Sequence, residues 1–281
     1  VRDCSIQRRN QKVIEESSST AVDPKTEEEI RAAAGRLATV AGYRNAGTVE
    51  FLVDPATQQF LFMEVNTRLQ VEHPVTEATT GLDIVKLQLH VAQGGRLEGS
   101  PPPVRGHAVE ARLCAEDPEQ GFVPAPGRLA RLRLPTGAGV RVDSGVREGD
   151  VISPEFDSLI AKIIAWGTDR DEALSRLRRA LAQSTVVVDG GTTNRSFLLT
   201  LLDQPEVREG RVDNRWLDRF TADDGHVPPP DPVALLVAAV EAYDADHAGV
   251  QAAFHVAAAR GRPEVPAEVG TRVQLRYCGV S

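Results

Sequence analysis

The sequence predicts an α+β protein with two successive globular parts and a shorter third segment. Helical and strand-like patterns alternate along the chain. A Gly- and Pro-rich stretch at residues 94–103 marks one boundary, and three consecutive prolines at residues 228–230 mark a second. These observations predict parts that span residues 1–95, 104–221 and 222–281.

The composition argues against several classes of protein. The 281 residues carry a net charge of -8, which disfavours a general nucleic-acid surface. No apolar run approaches the roughly 20 residues that span a bilayer, and the first residues lack the apolar core of a secretory signal. The three cysteines, Cys4, Cys114 and Cys278, stand far apart, which indicates a reducing, cytoplasmic location rather than a disulfide framework.

Local patterns predict the elements of the first part. Pro24 suits a first helical position, so a helix is expected from Asp23 to Gly42. A turn-forming stretch at residues 54–59 separates two β-branched and aromatic segments, which predicts a hairpin. The remaining expectations are a strand and then a loop over residues 1–16, a loop over 66–80 and a helix over 83–93.

The second part is predicted to be a set of short strands with two helices. Leucines at helical spacing favour a helix from Asp169 to Gln183, and residues 196–202 suit a shorter one. Strands are expected over residues 108–113, 127–134, 140–142, 159–166 and 186–188. In the third segment a helix is expected over 233–248 and a strand over 273–280.

Two glutamates in the predicted hairpin suggest a cation site. With the turn centred near Thr57, Glu50 and Glu64 lie opposite one another and share a face. Directly opposed like charges destabilise a strand pair, so a hard cation such as Mg²⁺ is one way to neutralise them. Asn66 lies two residues further and can join the same face. The alternative is that both glutamates are simply solvated.

The loop after the hairpin is dense in functional groups. The planar guanidinium of Arg68 suits a small oxyanion, and Glu72 is a candidate general base. The alternative is a surface ion pair. His73 has no partner at metal-ligand spacing and is interpreted as structural. The basic run at residues 8–12 could bind an anion, but without further context a solvated charged surface is favoured. Arg112 has the same two interpretations.

Six segments together resemble the biotin carboxylase family, in matching order and over roughly residues 1–220. They are RDCSIQRRNQK at 2–12, GTVEFLVD at 47–54, FMEVNTRLQVEHPVTE at 62–77, GHAVEARLCAEDP at 106–118, PAPGRL at 124–129 and VRVDSGVREGDVISPEFDSLIAKIIAWG at 140–167.

The resemblance implies the C-terminal lobe of an ATP-grasp fold, then the biotin carboxylase C-terminal domain, then a partial linker region. Members of that family use ATP and bicarbonate to carboxylate N1′ of biotin through carboxyphosphate. By resemblance, Glu50 and Glu64 coordinate the Mg²⁺ or Mn²⁺ bound to ATP, with Asn66 close by. Gln7 and Asn10 fall in the segment that lines the nucleotide site, although many family members have His at the second position.

The same resemblance assigns the remaining site residues. Bicarbonate is held by Lys12, Arg68, Gln70 and Val71. Glu72 is the base that deprotonates bicarbonate for attack on the γ-phosphate. Arg68 and Arg112 stabilise the biotin enolate. The segment at residues 188–194 departs from the usual family pattern, which puts its local packing in doubt.

The resemblance also implies partners. A biotin carboxyl carrier domain and a carboxyltransferase subunit are expected, and so is a homo-oligomer. The glycine-rich ATP lid is not found in the sequence, and neither is the Ala-Met-Lys-Met segment of a carrier, since Met63 is the single methionine. We therefore expect a chain truncated at both ends, with little activity alone because lid closure is missing.

An acyl-CoA carboxylase α subunit is not the only parent enzyme that the sequence allows. The tail resembles the region that joins the carboxylase to its carrier in such subunits, which favours them. A pyruvate carboxylase fragment carries the same segments. A different ATP-grasp ligase, such as a carbamoyl-phosphate synthase, stays open as well, and so does a non-catalytic assembly remnant.

Overall fold

A five-stranded sheet organises the first unit of the fold, Val1–His226. The computed structural model describes residues 1–222, residue 226 and residues 232–261. The described strands are β1 (Asp3–Arg8), β2 (Gln11–Glu16), β3 (Thr48–Val53), β4 (Phe60–Asn66), β5 (His107–Cys114), β6 (Glu116–Asp117), β7 (Val123–Pro124), β8 (Gly127–Arg133), β9 (Val140–Ser144), β10 (Val151–Ile152), β11 (Leu159–Gly167) and β12 (Thr185–Val188).

Eight α-helices accompany these strands in the described parts of the chain, and a 3₁₀ turn covers Pro118–Gln120. The helices are α1 (Pro24–Val40), α2 (His73–Thr80), α3 (Ile84–Ala92), α4 (Arg170–Gln183), α5 (Arg195–Leu202), α6 (Pro205–Arg208), α7 (Trp216–Ala222) and α8 (Pro232–Ala258). None of these helices is both long enough and apolar enough to cross a membrane.

The large sheet joins strands from both sides of the first predicted boundary. Its order is β1-β2-β5-β11-β9, and every neighbouring pair is antiparallel. β1 and β2 precede residues 94–103, whereas β5, β11 and β9 follow them. The predicted parts 1–95 and 104–221 therefore share one sheet, and their division into domains stays a prediction.

Helix α4 covers one face of this sheet. Asp169 caps it by accepting a hydrogen bond from the backbone N–H of Glu172, as an extended N-cap aspartate does. The three leucines that predicted the helix, Leu174, Leu177 and Leu181, are buried. They pack against alternate side chains of β5, beginning at Val109, so the helical and strand periodicities meet in one core.

Helix α2 lies against the opposite face and shows where the sequence prediction was wrong. Residues 66–80 were expected to be a loop, but a helix begins at His73. Pro74 sits in its first turn, and Gly81 ends it in the left-handed conformation with φ 72°. These terminal signals were present in the sequence, but the short threonine-rich segment between them favours a helix weakly.

The segment after β1 was also expected to be a loop, and it is a strand. β1 and β2 form a hairpin whose turn is Arg9–Asn10, both with positive φ (47° and 66°). Tight hairpin turns usually carry glycine there, and asparagine is a less common substitute. The absence of glycine at residues 9 and 10 explains the error.

The other predicted elements within the described residues are confirmed. These are the helices expected from residues 23, 83, 169, 196 and 233, the hairpin of β3 and β4, and the strands at 108–113, 127–134, 140–142, 159–166 and 186–188. Their end positions differ by a few residues, except that α8 was expected to end at residue 248 and continues to Ala258. The strand expected over 273–280 lies outside the described residues.

A buried carboxylate fastens α4 to the sheet. Glu16 on β2 accepts two hydrogen bonds of 2.8 Å from Arg170, the first residue of α4, and its Oε2 lies 2.8 Å from His107 Nε2. Burial alone would raise the pKa of Glu16, but the hydrogen bonds from His107 and Arg170 bring that pKa below its ordinary value.

The sign of this shift predicts a pH-dependent contribution to stability. Because the folded-state pKa is lowered, the charged Glu16 stabilises the fold above the ordinary glutamate pKa, and that stabilisation is lost as pH falls through the folded value. Glu16→Gln should therefore lower the free energy of unfolding by about 2 kcal/mol near neutral pH. Denaturant titrations at a series of pH values should show the difference from wild type shrinking in acid. A difference that is constant with pH would contradict this account.

Candidate active site on the open face of the sheet

The β3–β4 hairpin places two carboxylates side by side. Glu50 and Glu64 are direct cross-strand partners, as the sequence predicted. The amide nitrogen of Asn66 donates to Glu50 Oε1 at 3.2 Å and to Glu64 Oε1 at 2.8 Å. The three side chains therefore converge on one face of the hairpin.

The donor set of this face suits a hard divalent cation. Carboxylate and amide oxygens are ligands that Mg²⁺ and Mn²⁺ prefer. Within the described residues, no group of three or more His, Cys, Asp or Glu side chains could hold a metal, so two carboxylates are the acidic contribution here. Glu64 is exposed, which leaves room beside it for further ligands such as water or phosphate oxygens.

A β-bulge places Lys12 between the hairpin and the sheet. Along β1, Ile6 pairs with Ile14 and Gln7 pairs with Lys12, so Val13 is an extra residue in β2. Val13 and Ile14 both pack against the core, and such a bulge re-aims the neighbouring side chain. Lys12 Nζ donates at 2.9 Å to both Glu50 Oε1 and Glu72 Oε1.

Glu72 lies at the centre of the charged cluster. It directly precedes α2 at the N-cap position, so its carboxylate is near the positive end of the helix dipole. Its side chain is 2% exposed and is flanked by Lys12 and by Arg112, whose Nη2 is 3.1 Å from Glu72 Oε2. Although burial raises the pKa of Glu72, the hydrogen bond and charge of Lys12, then the backbone N–H of Glu72 and the charge of Arg2, hold that pKa below its ordinary range.

Arg112 joins Glu72 to the interior of the sheet. It projects from β5, and its Nε donates to Glu15 Oε1 at 2.6 Å, with a second contact from Nη2 to the same oxygen. Glu15 on β2 is fully buried. Arg112 therefore links a buried carboxylate on one side to the partly open site on the other.

The loop before α2 contributes through its amide and backbone groups. Gln70 is buried, accepts a 3.3 Å hydrogen bond from Lys12 and donates one of 3.1 Å to Glu50. The carbonyl oxygen of Val71 accepts a 3.0 Å hydrogen bond from Lys162 on β11. Arg68 is exposed, and its guanidinium donates to the neighbouring Leu69 carbonyl oxygen at 3.2 Å.

The structure brings together most of the predicted site residues. Lys12, Glu50, Gln70, Glu72 and Arg112 form one continuous hydrogen-bonded network, and Asn66 extends it to Glu64. Arg68, Gln7 and Asn10 have no side-chain hydrogen bond to this network among the described residues. Asn10 is exposed at the tip of the first hairpin, and Gln7 is half-buried on β1.

Sequence reasoning did not single out Glu15, Glu110, Lys162 or Arg2. Arg2 donates to Thr48 at 2.9 Å and lies 4.0 Å from Glu72. Glu110 and Glu15 are fully buried glutamates within strands. A charged residue among apolar neighbours in a predicted buried strand, as in the segment Ala108–Leu113, is the signal that could have identified Glu110.

This arrangement can bind a small anion and accept a proton from it. Lys12 and Arg112 provide positive charge on either side of Glu72, and the lowered pKa of Glu72 keeps its carboxylate ionised and so free to accept a proton. An anion with an acidic proton can therefore be attracted by the cations and deprotonated by the carboxylate. The adjoining acidic hairpin suits a phosphate-bound cation.

Two family descriptions match successive parts of the chain. Residues 1–100 match the carbamoyl-phosphate synthase L chain, ATP binding domain. Residues 110–219 match the biotin carboxylase C-terminal domain. These matches meet near the Gly- and Pro-rich stretch at residues 94–103.

Curated relatives of the chain include biotin carboxylases and carboxylase subunits. The chain is 46% identical to a biotin carboxylase of Nostoc sp. over 78% of its own length and 49% of the relative. It is 45% identical to the mitochondrial methylcrotonoyl-CoA carboxylase subunit alpha of Rattus norvegicus, over 79% of this chain and 31% of that relative. The chain thus spans about half the length of the biotin carboxylase it matches.

A solved structure with bound ligands shares this fold. It is the biotin carboxylase domain dimer of Hydrogenobacter thermophilus 2-oxoglutarate carboxylase, in complex with MgADP, ADP and bicarbonate. The TM-score is 0.75 and the identity 40%, over 78% of this chain and 48% of that one. Over residues 1–219, the chain therefore belongs to the biotin carboxylase family, with an ATP-grasp segment followed by the biotin carboxylase C-terminal domain.

Proposed function

We propose that this chain takes part in the ATP- and bicarbonate-dependent carboxylation of biotin through carboxyphosphate. The observation that carries the proposal is the position of Glu72 between Lys12 and Arg112. The relatives serve different overall reactions, to judge from the names methylcrotonoyl-CoA carboxylase and 2-oxoglutarate carboxylase. The biotin carboxylase step is what their names and domains have in common.

Bicarbonate binding is assigned to the network around Glu72. Lys12 and Gln70 are already held in place by hydrogen bonds, whereas Arg68 is exposed and can turn its guanidinium toward an anion. Val71, in the loop before α2, is the fourth residue assigned to bicarbonate binding. In this position Glu72 accepts the bicarbonate proton, which makes the anion a better nucleophile toward the γ-phosphate of ATP.

Biotin activation is assigned to the two arginines. Arg112 is fixed by Glu15 and Glu72, so its guanidinium is pre-oriented toward the negative charge that develops on the biotin ureido oxygen. Arg68 supplies a second guanidinium from the loop. Fixed donors of this kind need little reorganisation during the reaction.

Nucleotide binding is assigned to the hairpins. Glu50, Glu64 and Asn66 would hold Mg²⁺ or Mn²⁺, and the cation would supply positive charge that offsets the negative charge of the nucleotide phosphates. Gln7 and Asn10 are assigned to the ATP site. Their support is the segment that they share with the family rather than a contact between side chains.

The setting of the activity is part of the same proposal. A biotin carboxyl carrier domain and a carboxyltransferase subunit are the proposed partners, within a homo-oligomer in the cytoplasm. The partners are supported by relatives that include a carboxylase subunit alpha and a complete multifunctional pyruvate carboxylase. The homo-oligomer is supported by a related biotin carboxylase domain that is described as a dimer. The cytoplasmic location rests on the wide spacing of the three cysteines.

The decisive experiment measures ATP hydrolysis by the protein as expressed from its own gene. ADP release should require both free biotin and bicarbonate, and label from [¹⁴C]bicarbonate should appear on biotin. Glu155→Gln changes an exposed glutamate outside the site and serves as the control. ADP release that is unchanged when biotin or bicarbonate is left out would contradict the proposal.

A further inference from the structure

Two glutamates lie face to face in the interior behind Arg112. Glu15 on β2 and Glu110 on β5 are direct cross-strand partners, and both are 0% exposed. Opposed positions on antiparallel strands place the Cβ atoms about 4.5–5.5 Å apart, a separation that two carboxyl groups can bridge with one hydrogen bond. Two like charges at this position would repel one another strongly.

Three of the four oxygens in this pair lack a hydrogen-bond partner among the residues that the structure describes. These are Glu15 Oε2 and both oxygens of Glu110. A buried carboxylate without donors is costly, and protonation removes much of that cost. A proton on Glu110 would let it donate to Glu15 Oε2, which satisfies an oxygen on each side.

The charged groups around Glu15 and Glu110 favour a state in which the pair carries one proton, rather than no proton or two. Arg112 and Lys12 face Glu15, whereas Lys162 on β11 and Arg112 face Glu110, and Glu72 adds a further negative charge. The thiol of Cys4 on β1 also faces Glu15. Burial, followed by the charge of Glu15, raises the pKa of Glu110. Burial also raises the pKa of Glu15, but Arg112 opposes that shift.

The fourth oxygen of the pair holds Arg112. Glu15 Oε1 accepts from Nε at 2.6 Å and also contacts Nη2, which fixes the plane of the guanidinium. The same Nη2 then reaches Glu72 Oε2 at 3.1 Å. The orientation of Arg112 toward the site thus depends on where the Glu15 carboxylate is held.

We propose that Glu15 and Glu110 hold one proton between them and, as a hydrogen-bonded carboxyl pair, fix the guanidinium of Arg112 toward the site. Both are positioning residues, since neither is exposed to a ligand. This inference extends the proposed function. Only the identity of the ligand that Arg112 binds rests on that function; the shared proton does not. A neutral Glu110 keeps Glu15 in place without adding a second buried negative charge.

Carboxyl NMR of the 281-residue chain tests the shared proton without relying on activity. With ¹³C-labelled glutamate, the wild type should show carboxyl carbons that titrate above the ordinary glutamate range, and Glu110→Gln should remove that titration. The Arg112 Nε–H signal, identified by its loss in Arg112→Lys, should persist in Glu110→Gln and be shifted or lost in Glu110→Leu. Titration of every carboxyl within the ordinary range would overturn the proposal.

Kinetics of the protein as expressed from its own gene test the positioning role. Glu110→Leu should raise the KM for biotin about tenfold, since Glu15 loses its hydrogen-bond donor. Glu110→Gln still offers a donor to Glu15, so its KM for biotin should lie close to the wild-type value. Glu119→Gln, an exposed glutamate, is the matched control. Equal damage by Gln and Leu, or no damage by Leu, would overturn the proposal.

The two readouts separate this inference from the proposed function. A wild type without biotin-dependent turnover would contradict the proposed function, and the NMR signals would then decide the inference alone. Should Glu110→Leu not fold, the carboxyl titration of the wild type and the Arg112 signal in Glu110→Gln decide it instead.

Discussion

Replacing Arg112 with methionine should lower the free energy of unfolding by about 3–5 kcal/mol and biotin-dependent turnover by about 10²–10³-fold. Methionine fills much of the volume but leaves the buried Glu15 and Glu72 without their shared cation. Denaturant unfolding and steady-state kinetics of the protein as expressed from its own gene measure the two effects. The stability loss should be smaller at acidic pH, because Glu15 can then take up a proton.

Arg128→Met is the matched control for this prediction. Arg128 and its partner Asp189 are 60% and 55% exposed, and an exposed pair of this kind contributes about 0–1 kcal/mol. Arg112→Lys keeps the charge but loses the planar fork, so it should give intermediate values. If Arg112→Met were no more harmful than Arg128→Met, the pairing of Arg112 with two carboxylates would carry little energy, and this account of the site would be wrong.

Glu72→Gln should reduce the turnover number for biotin-dependent ATP hydrolysis by about 10²–10⁴-fold. Glutamine has nearly the same shape and still accepts a hydrogen bond from Lys12, but it is not a base. Because Lys12 and Arg112 remain in place to attract the anion, the KM for bicarbonate should change much less than the turnover number.

The control for Glu72→Gln is Glu155→Gln, which makes the same chemical change at an exposed position. Lys12→Gln should differ from Glu72→Gln in its effect on the KM for bicarbonate, because it should raise that KM as well as lower turnover. A Glu72→Gln protein with turnover close to wild type would show that another group takes the proton, and the assignment of the base would fail.

The pairing of Glu50 with Glu64 could be predicted from the sequence because hairpin geometry is local. A turn near Thr57 and a side-chain period of two were enough to place Glu50 opposite Glu64, and the register confirms this. The same reasoning could not place Lys12. Simple alternation puts Lys12 on the same face as Ile14, and the bulge at Val13 moves it to the site.

The carboxyl pair could not be predicted because it depends on non-local pairing. Glu15 and Glu110 are 95 positions apart in sequence, and only the alignment of β2 with β5 makes them neighbours. The helix α2 was missed for a different reason, since its stability comes from packing of Val75 against Ala108 and Ile164 rather than from local helix propensity. Neither strand alternation nor helix propensity assigns a chemical role to a residue. The roles expected of the site residues came from the resemblance to a family.

The central claim, that Glu72 receives a proton from an anion held beside Lys12, is tested most directly by a crystal structure of the protein with bicarbonate. We expect a bicarbonate oxygen about 2.6–3.2 Å from a Glu72 oxygen, with Lys12 in contact and the Arg68 guanidinium turned toward the anion. Bicarbonate bound elsewhere, with the Lys12–Glu72–Arg112 network unchanged and empty of ligand, would contradict the claim.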